Sequence, residues 1–279
     1  MEFRTEEARQ QYDALTSVTR EVLVGLDFDG TLAPIVADPE RAEIHPDGVA
    51  TLVGLPAHVR AVAVVTGPPA RQVVRLPHFE DVATQLPAGA RLLVRGQYGH
   101  ERWDSDSRAF TAPDETAGLA AVRHQLPRLL ARLDAADAYV EEKGLAVAVH
   151  TRRMADPAAA FARLEPDLED AAERHGLALE PGRLVLEVRA PGMHKGHALR
   201  EVVAEVDAGG LLFAGDDLGD LEAFEAGREL RSQGLPVLLV CSGSVEETAL
   251  ADVADLVVDG PDGVLALLRR LGADAARAH

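Results

Sequence analysis

The sequence has a single cysteine, no apolar run of membrane length, and far fewer bases than acids. Each shortage closes off a class of protein. Cys241 has no second cysteine to pair with, so no intramolecular disulfide can form, which suits a reducing cytoplasm. A bilayer-spanning helix needs roughly 18 or more apolar residues in succession, and no stretch approaches that. The opening segment, MEFRTEEARQQYDALTSVTR, carries several acids and no apolar core, so it does not read as a secretory signal. Lys and Arg together number 28 against 46 Asp and Glu, and the net charge of −18 argues against non-specific nucleic-acid binding. The excess acid is most simply a solubility device. Internal repeats and low-complexity tracts are also lacking. The expectation is a soluble cytoplasmic protein, monomeric, with no nucleic-acid or membrane partner. Its 279 residues and 47% hydrophobic content allow one large or two modest domains with real cores.

What is present is concentrated at the ends of apolar runs. In EVLVGLDFDGTL, residues 21–32, a short strand delivers Asp27 and Asp29 to a glycine turn. Residues two apart lie on one side of a strand, so both carboxylates can face one small site, and Gly30 permits the sharp turn beyond them. Two acids this close repel unless a cation or shared proton compensates, and Mg²⁺ is the natural oxygen-bound cation. A carboxylate can also attack phosphorus. Alone, such a pair reads as solvated turn acids.

Three further segments change that balance. AVAVVTG, residues 61–67, ends in Thr66, either a helix N-cap or a hydroxyl for a phosphoryl group. Lys195 opens a helical pattern, where its charge opposes the helix dipole unless phosphate and aspartates share the site. LLFAGDDLGDLEAF, residues 211–224, supplies Asp216, Asp217 and Asp220. These acids read equally well as metal ligands or as caps of the following helix.

Residues 21–104 alternate strand and helix, and residues 194–272 resume the alternation. That pattern implies a parallel sheet with helices on both faces and ligands at the strands' carboxyl ends. The candidate residues fall at those ends. Residues 105–193 differ: a helix near 115–134 that Pro127 should kink or break, a hairpin at Gly144, a helix near 157–174, and a hairpin turning at Pro181-Gly182. The expected domains are a doubly wound α/β core, 1–104 with 194–279, and an inserted small α+β cap, 105–193. The last residues, GADAARAH, should fray.

On the insert, Tyr139, Glu141 and Lys143 share one strand face, and Arg183, Val185, Glu187 and Arg189 share another. Polar residues spaced by two suit sugar hydroxyls on a rigid sheet, or ordinary cross-strand surface pairs.

Taken together, the four core segments resemble the signature set of the haloacid-dehalogenase-like (HAD) phosphotransferases. The resemblance implies Asp27 as nucleophile, Asp29 as acid/base, and Thr66 and Lys195 as phosphate ligands. Mg²⁺ would be held by Asp27, the Asp29 carbonyl and Asp216, with Asp217, Asp220 and Gly30 supporting. DFDGTLAPIV, GQYGHE, VEEKGLAVAVHTR and GRLVLEVRAPGMHKGHAL further resemble the trehalose-6-phosphate phosphatases, over residues 21 to 226. That similarity implies glucose contacts from Glu141, Lys143, Arg183 and Glu187, while His150 and Arg152 match an HxR pattern open to a structural role. The implied reaction is Mg²⁺-dependent hydrolysis of trehalose 6-phosphate. Another sugar phosphate, or silent phosphosugar binding, stands as the alternative. The sequence departs at Pro68, where an arginine is usual and either Arg71, one turn further, takes its place or the contact is absent, and at Gly219 and Leu221.

Overall fold

The computed structural model describes residues 3, 5–36, 43–76, 78–243 and 248–277. Contacts divide the chain into two compact units, 1–112 with 194–279, and 113–193. In chain order the first unit begins with α1 (Glu6–Ser17), β1 (Val22–Leu26), α2 (Gly48–Gly54), β2 (Ala61–Val65), α3 (Ala70–Arg75) and α4 (Phe79–Gln85). It continues through β3 (Leu92–Gly96), β4 (Glu101–Asp104) and β5 (Phe110–Thr111). The second unit holds α5 (Ala117–Arg132), β6 (Tyr139–Glu142), β7 (Ala146–His150), α6 (Pro157–Arg174), β8 (Ala178–Gly182) and β9 (Val185–Arg189). The chain then returns to the first unit with α7 (Lys195–Glu205), β10 (Gly210–Gly215), α8 (Leu221–Ser232) and β11 (Val237–Gly243). It closes with α9 (Thr248–Val253), β12 (Leu256–Asp259) and α10 (Gly260–Arg277).

The first unit is an α/β layer around an eight-stranded sheet ordered β12-β11-β10-β1-β2-β3-β4-β5. From β12 to β3 the strands are parallel, and β4 and β5 add an antiparallel edge. The parallel strands are apolar on both faces because helices cover both. Val22, Val24 and Leu26 of β1 join a cluster with Tyr12, Leu52 and Leu268 from α1, α2 and α10. Leu23, between them, packs with Leu199, Val202 and Phe224 of α7 and α8 on the opposite face. Strand order reverses direction between β10 and β1, and a crevice at the carboxyl ends there is the general ligand position of such sheets.

The second unit is a four-stranded antiparallel sheet, β6-β7-β9-β8, backed by two helices. Alternation is clean: Val147, Val149, Leu186 and Val188 pack with Leu126, Leu130, Leu164 and Leu168 of α5 and α6. The opposite face carries the polar residues Glu141, His150, Glu187 and Arg189, with Ala146, Ala148 and Val185 among them. Thr116 and Asp156 cap the two helices by accepting from the amides of Leu119 and Ala159.

Several expectations shift. Residues up to 111 stay with the first sheet because Trp103 and Phe110 pair across β4 and β5, so the cut expected at 104 falls inside a paired edge. α5 runs unbroken through Pro127, which lies on the exposed side while Leu126, Leu129 and Leu130 hold the helix by burial. The second hairpin turns at Arg183 and Leu184, not at Pro181-Gly182, which pair with Leu186 and Val185. β8 is an edge strand, where a proline is tolerated. The expected fraying tail is helical to Arg277, held by buried Ala275 and by Asp274, which accepts from the Tyr12 hydroxyl at 2.8 Å. Of the helix expected at 244–251, residues 244–247 lie outside the described residues. Among the described residues no helix is long and apolar enough to cross a membrane.

Leu164 is fully buried between α6 and the small sheet. Leu164→Ala should cost about 2–5 kcal/mol, read as a lower urea midpoint at unchanged m-value.

Candidate active site

The sheet extends β1 by one residue: the Asp27 amide donates to the Ala214 carbonyl at 2.9 Å, which sets Asp27 beside the end of β10. Phe28 is buried on the other side, packed edge-on to Phe79, so Asp27 and Asp29 flank an apolar anchor. The turn then closes as Leu32 and Ala33 both donate to the Phe28 carbonyl and Gly30 donates to Ala33. Gly30 has φ +70°, and a Cβ there would overlap the Asp216 carboxylate. Only glycine satisfies both the left-handed backbone and the close approach. The Ser242 hydroxyl, at the end of β11, donates to the Gly30 carbonyl at 2.6 Å.

Opposite, GDDLGD folds into a reciprocal cap. Asp217 Oδ1 accepts from the Gly219 amide, and Asp220 Oδ2 accepts from the amides of Asp216 and Asp217. Capping and site building therefore coincide. Asp220 Oδ1 accepts from Lys195 Nζ at 2.8 Å, and the same ammonium lies 2.9 Å from Asp27 Oδ1. Lys195, Asp27, Asp216 and Asp220 are all buried. The Lys195–Asp27 contact is ionic but misaligned, leaving Asp27 Oδ1 without a directed hydrogen bond.

The charges perturb one another. Burial pushes the Asp27 and Asp29 carboxyls up; Lys195 opposes this, while Asp217 adds to it. Burial, then the Asp27 and Asp217 charges, carries Asp216 up to about 9. Burial carries Asp220 up to about 7, against the pull of Lys195. Burial alone would lower Lys195, but Asp220 and Asp27 hold it well above its ordinary value.

One carboxylate oxygen each from Asp27, Asp216 and Asp220 falls within 4.8 Å of the others. An all-oxygen, anionic, buried set with more acids than bases fits a hard divalent cation such as Mg²⁺. Asp220 already commits both oxygens to Lys195 and the backbone, which leaves Asp27 and Asp216 as the carboxylates best suited to ligation. Thr66 is buried at the carboxyl end of β2, beside β1, its amide bonded to Arg95 and its carbonyl to Tyr98. Arg71 sets its guanidinium 4.4 Å from the Phe110 ring centroid.

On the polar face of the second unit, Glu141, Ala148, Glu187 and Glu180 stand in register across four strands. Lys143 Nζ donates to Glu187 Oε2 at 2.7 Å and lies 3.8 Å from Glu141 Oε2. Glu141, Lys143 and Glu187 are thus brought together. Arg183 is not on the strand expected for it: it lies exposed in the turn. Sequence reasoning missed Ser242, although its place after an apolar strand, PVLLVCSG, is the same signal that marks Asp27 and Thr66.

Residues 25–259 match the family described as trehalose-phosphatase. The chain is 35% identical over 240 residues to an uncharacterized glycosyl hydrolase of Mycobacterium tuberculosis, covering 80% of this chain and 17% of that protein. It is 31% identical over 233 residues to the trehalose-phosphate phosphatase of Mycolicibacterium paratuberculosis, covering 79% of this chain and 55% of the relative. The chain thus spans well under two thirds of either protein. The C-terminal domain of Candida albicans trehalose-6-phosphate phosphatase superposes with a TM-score of 0.73 at 19% identity, covering 98% of each chain, and speaks for the HAD-like fold alone.

A carboxyl whose folded pKa is raised contributes stability below its unfolded pKa and loses it as pH rises through the folded value. Asp216 and Asp220 therefore predict that the chelated protein loses thermal stability from about pH 4 to about pH 9. Lys195 stays protonated throughout. Mg²⁺ should raise Tm more at the alkaline end; equal shifts at both ends, by scanning fluorimetry, would contradict the assignment.

Proposed function

The chain belongs to the trehalose-phosphatase family, and we propose that it is a Mg²⁺-dependent phosphatase that hydrolyses trehalose 6-phosphate through an aspartyl-phosphate. The single observation that carries the reading is the buried ion pair of Lys195 with Asp27, a nucleophile held beside a fixed cation. Asp27 attacks phosphorus; its oxygen–phosphorus bond forms as the bond to the sugar oxygen breaks. Asp29, whose carboxyl burial keeps readily protonated, gives its proton to the departing alkoxide. It then takes a proton from the water that attacks the phosphorus, releasing phosphate and restoring the Asp27 carboxylate. Lys195 and the Thr66 hydroxyl hold the equatorial oxygens, where charge is greatest in the transition state. Asp27, Asp216 and the Asp29 carbonyl are the proposed holders of Mg²⁺. When bound, the ion supplies charge that offsets the repulsion between phosphate and carboxylate.

The sugar is proposed to meet the second unit's polar face. Glu141, Lys143 and Glu187 offer acceptors and a donor on a rigid sheet, and Arg183, exposed in the adjoining turn, is proposed as a further donor. Family membership and the joining of these charges into one row support this reading.

Asp27→Asn should lower kcat at least about thousandfold with the fold intact by circular dichroism; retained turnover would refute the nucleophile. Phosphate release should favour trehalose 6-phosphate over sucrose phosphate and glucose 6-phosphate and require Mg²⁺. A reversed preference would move the chain to another sugar phosphate, and binding without turnover to a silent sensor. Glu141→Ala should damage trehalose 6-phosphate turnover far more than that of a small aryl phosphate. Equal losses would remove the small sheet from specificity.

A further inference from the structure

The polar face of the small sheet contains a contact that the proposed reaction leaves unused. His150 Nε2 lies 2.8 Å from Glu141 Oε2. We propose that His150 is a positioning residue that fixes the carboxylate with which Glu141 accepts a sugar hydroxyl, an inference that rests on the phosphosugar reading above.

Register brings the two together. Tyr139 stands opposite His150 and Glu141 opposite Ala148, so Glu141 and His150 are diagonal neighbours on one face. Ala148 is small enough to leave the diagonal open. The Tyr139 ring lies 5.4 Å from the imidazole at 42°, bracing it from the side. The hydrogen bond from His150, helped by Lys143 and opposed by burial, holds the Glu141 carboxyl below its ordinary range. An ionised carboxylate only accepts, so the shared proton resides on Nε2.

The neighbouring charges explain why such a fixer is needed. Lys143 is committed to Glu187 at 2.7 Å and stands 3.8 Å from Glu141. Both contacts to Glu141 fall on Oε2, which orients Oε1 for a ligand hydroxyl. Without the imidazole, the Glu141 carboxylate would swing toward Lys143 and compete with Glu187. A ligand would then have to break that pair before binding, which raises KM and leaves the phosphoryl-transfer step alone.

The test compares wild type, His150→Ala, His150→Gln, Glu141→Ala and the double variant Glu141→Ala/His150→Ala on trehalose 6-phosphate and p-nitrophenyl phosphate. His150→Ala should raise KM for the sugar phosphate about tenfold, with kcat and aryl phosphate turnover held within about twofold. His150→Gln, which keeps an amide donor, should recover most of the loss. The double variant should be no worse than Glu141→Ala, because the two residues act as one unit. Should His150→Ala fail to fold, His150→Leu fills the space without a donor and reads the same loss. An unchanged KM, equal losses on both substrates, or additive losses in the double variant would overturn the inference. If Glu141→Ala also treats the substrates alike, the phosphosugar reading of this face falls with it. If Glu141→Ala discriminates while His150→Ala does not, only the positioning role falls.

Discussion

A buried ammonium held between two buried carboxylates is the joint on which this structure depends. Lys195 pairs with Asp27 and Asp220, each removed from solvent. Stripping one partner from such a set leaves an uncompensated charge in a low dielectric, a larger loss than the net worth of the pair. The joint also resolves a local conflict. Lys195 opens α7, where its charge opposes the helix dipole, and the two aspartates supply the compensation that the helix end cannot. Because Asp27 ends β1 and Asp220 caps the turn after β10, one side chain ties together chain segments from before and after the insert.

Much of this arrangement was legible because the buried polar residues sit where apolar strands stop. Asp27, Thr66 and Asp216 each follow a short apolar run of the length of a buried parallel strand, and Gly30 marks the turn beyond the first of them. Asp220 was harder to read. Its spacing from Asp217 is that of a capping box, and nothing in one dimension says that its other oxygen meets Lys195. Ser242 escaped because a serine after an apolar run has many ordinary uses. Its partner, the Gly30 carbonyl, is far away in sequence.

The small sheet shows the same limit at the scale of one residue. Alternation assigned Glu187 and Arg189 to the polar face, and the structure places them there. Arg183 was assigned by the same rule and lies in the turn, since Pro181 and Gly182 looked like the stronger turn signal. An edge strand relaxes the penalty on proline, and edge position is a property of the assembled sheet. Helix α1 and the β4–β5 edge went unread for a related reason: their sequences are mixed in polarity, and packing against the sheet decides their form.

The adjacency of β1 to β10 bears on how the molecule is made. During synthesis β1 emerges before the insert, while its neighbour on one side, β10, appears only after the whole insert has been translated. Until then the backbone N–H and C=O groups on one flank of β1 have no strand to pair with, and the sheet cannot be completed. The insert, whose strands all come from one continuous segment, is free to fold in the meantime. Pairing across so long a stretch of chain closes more slowly than pairing within the insert, so the central strand pair of the sheet carries the largest loop-closure cost.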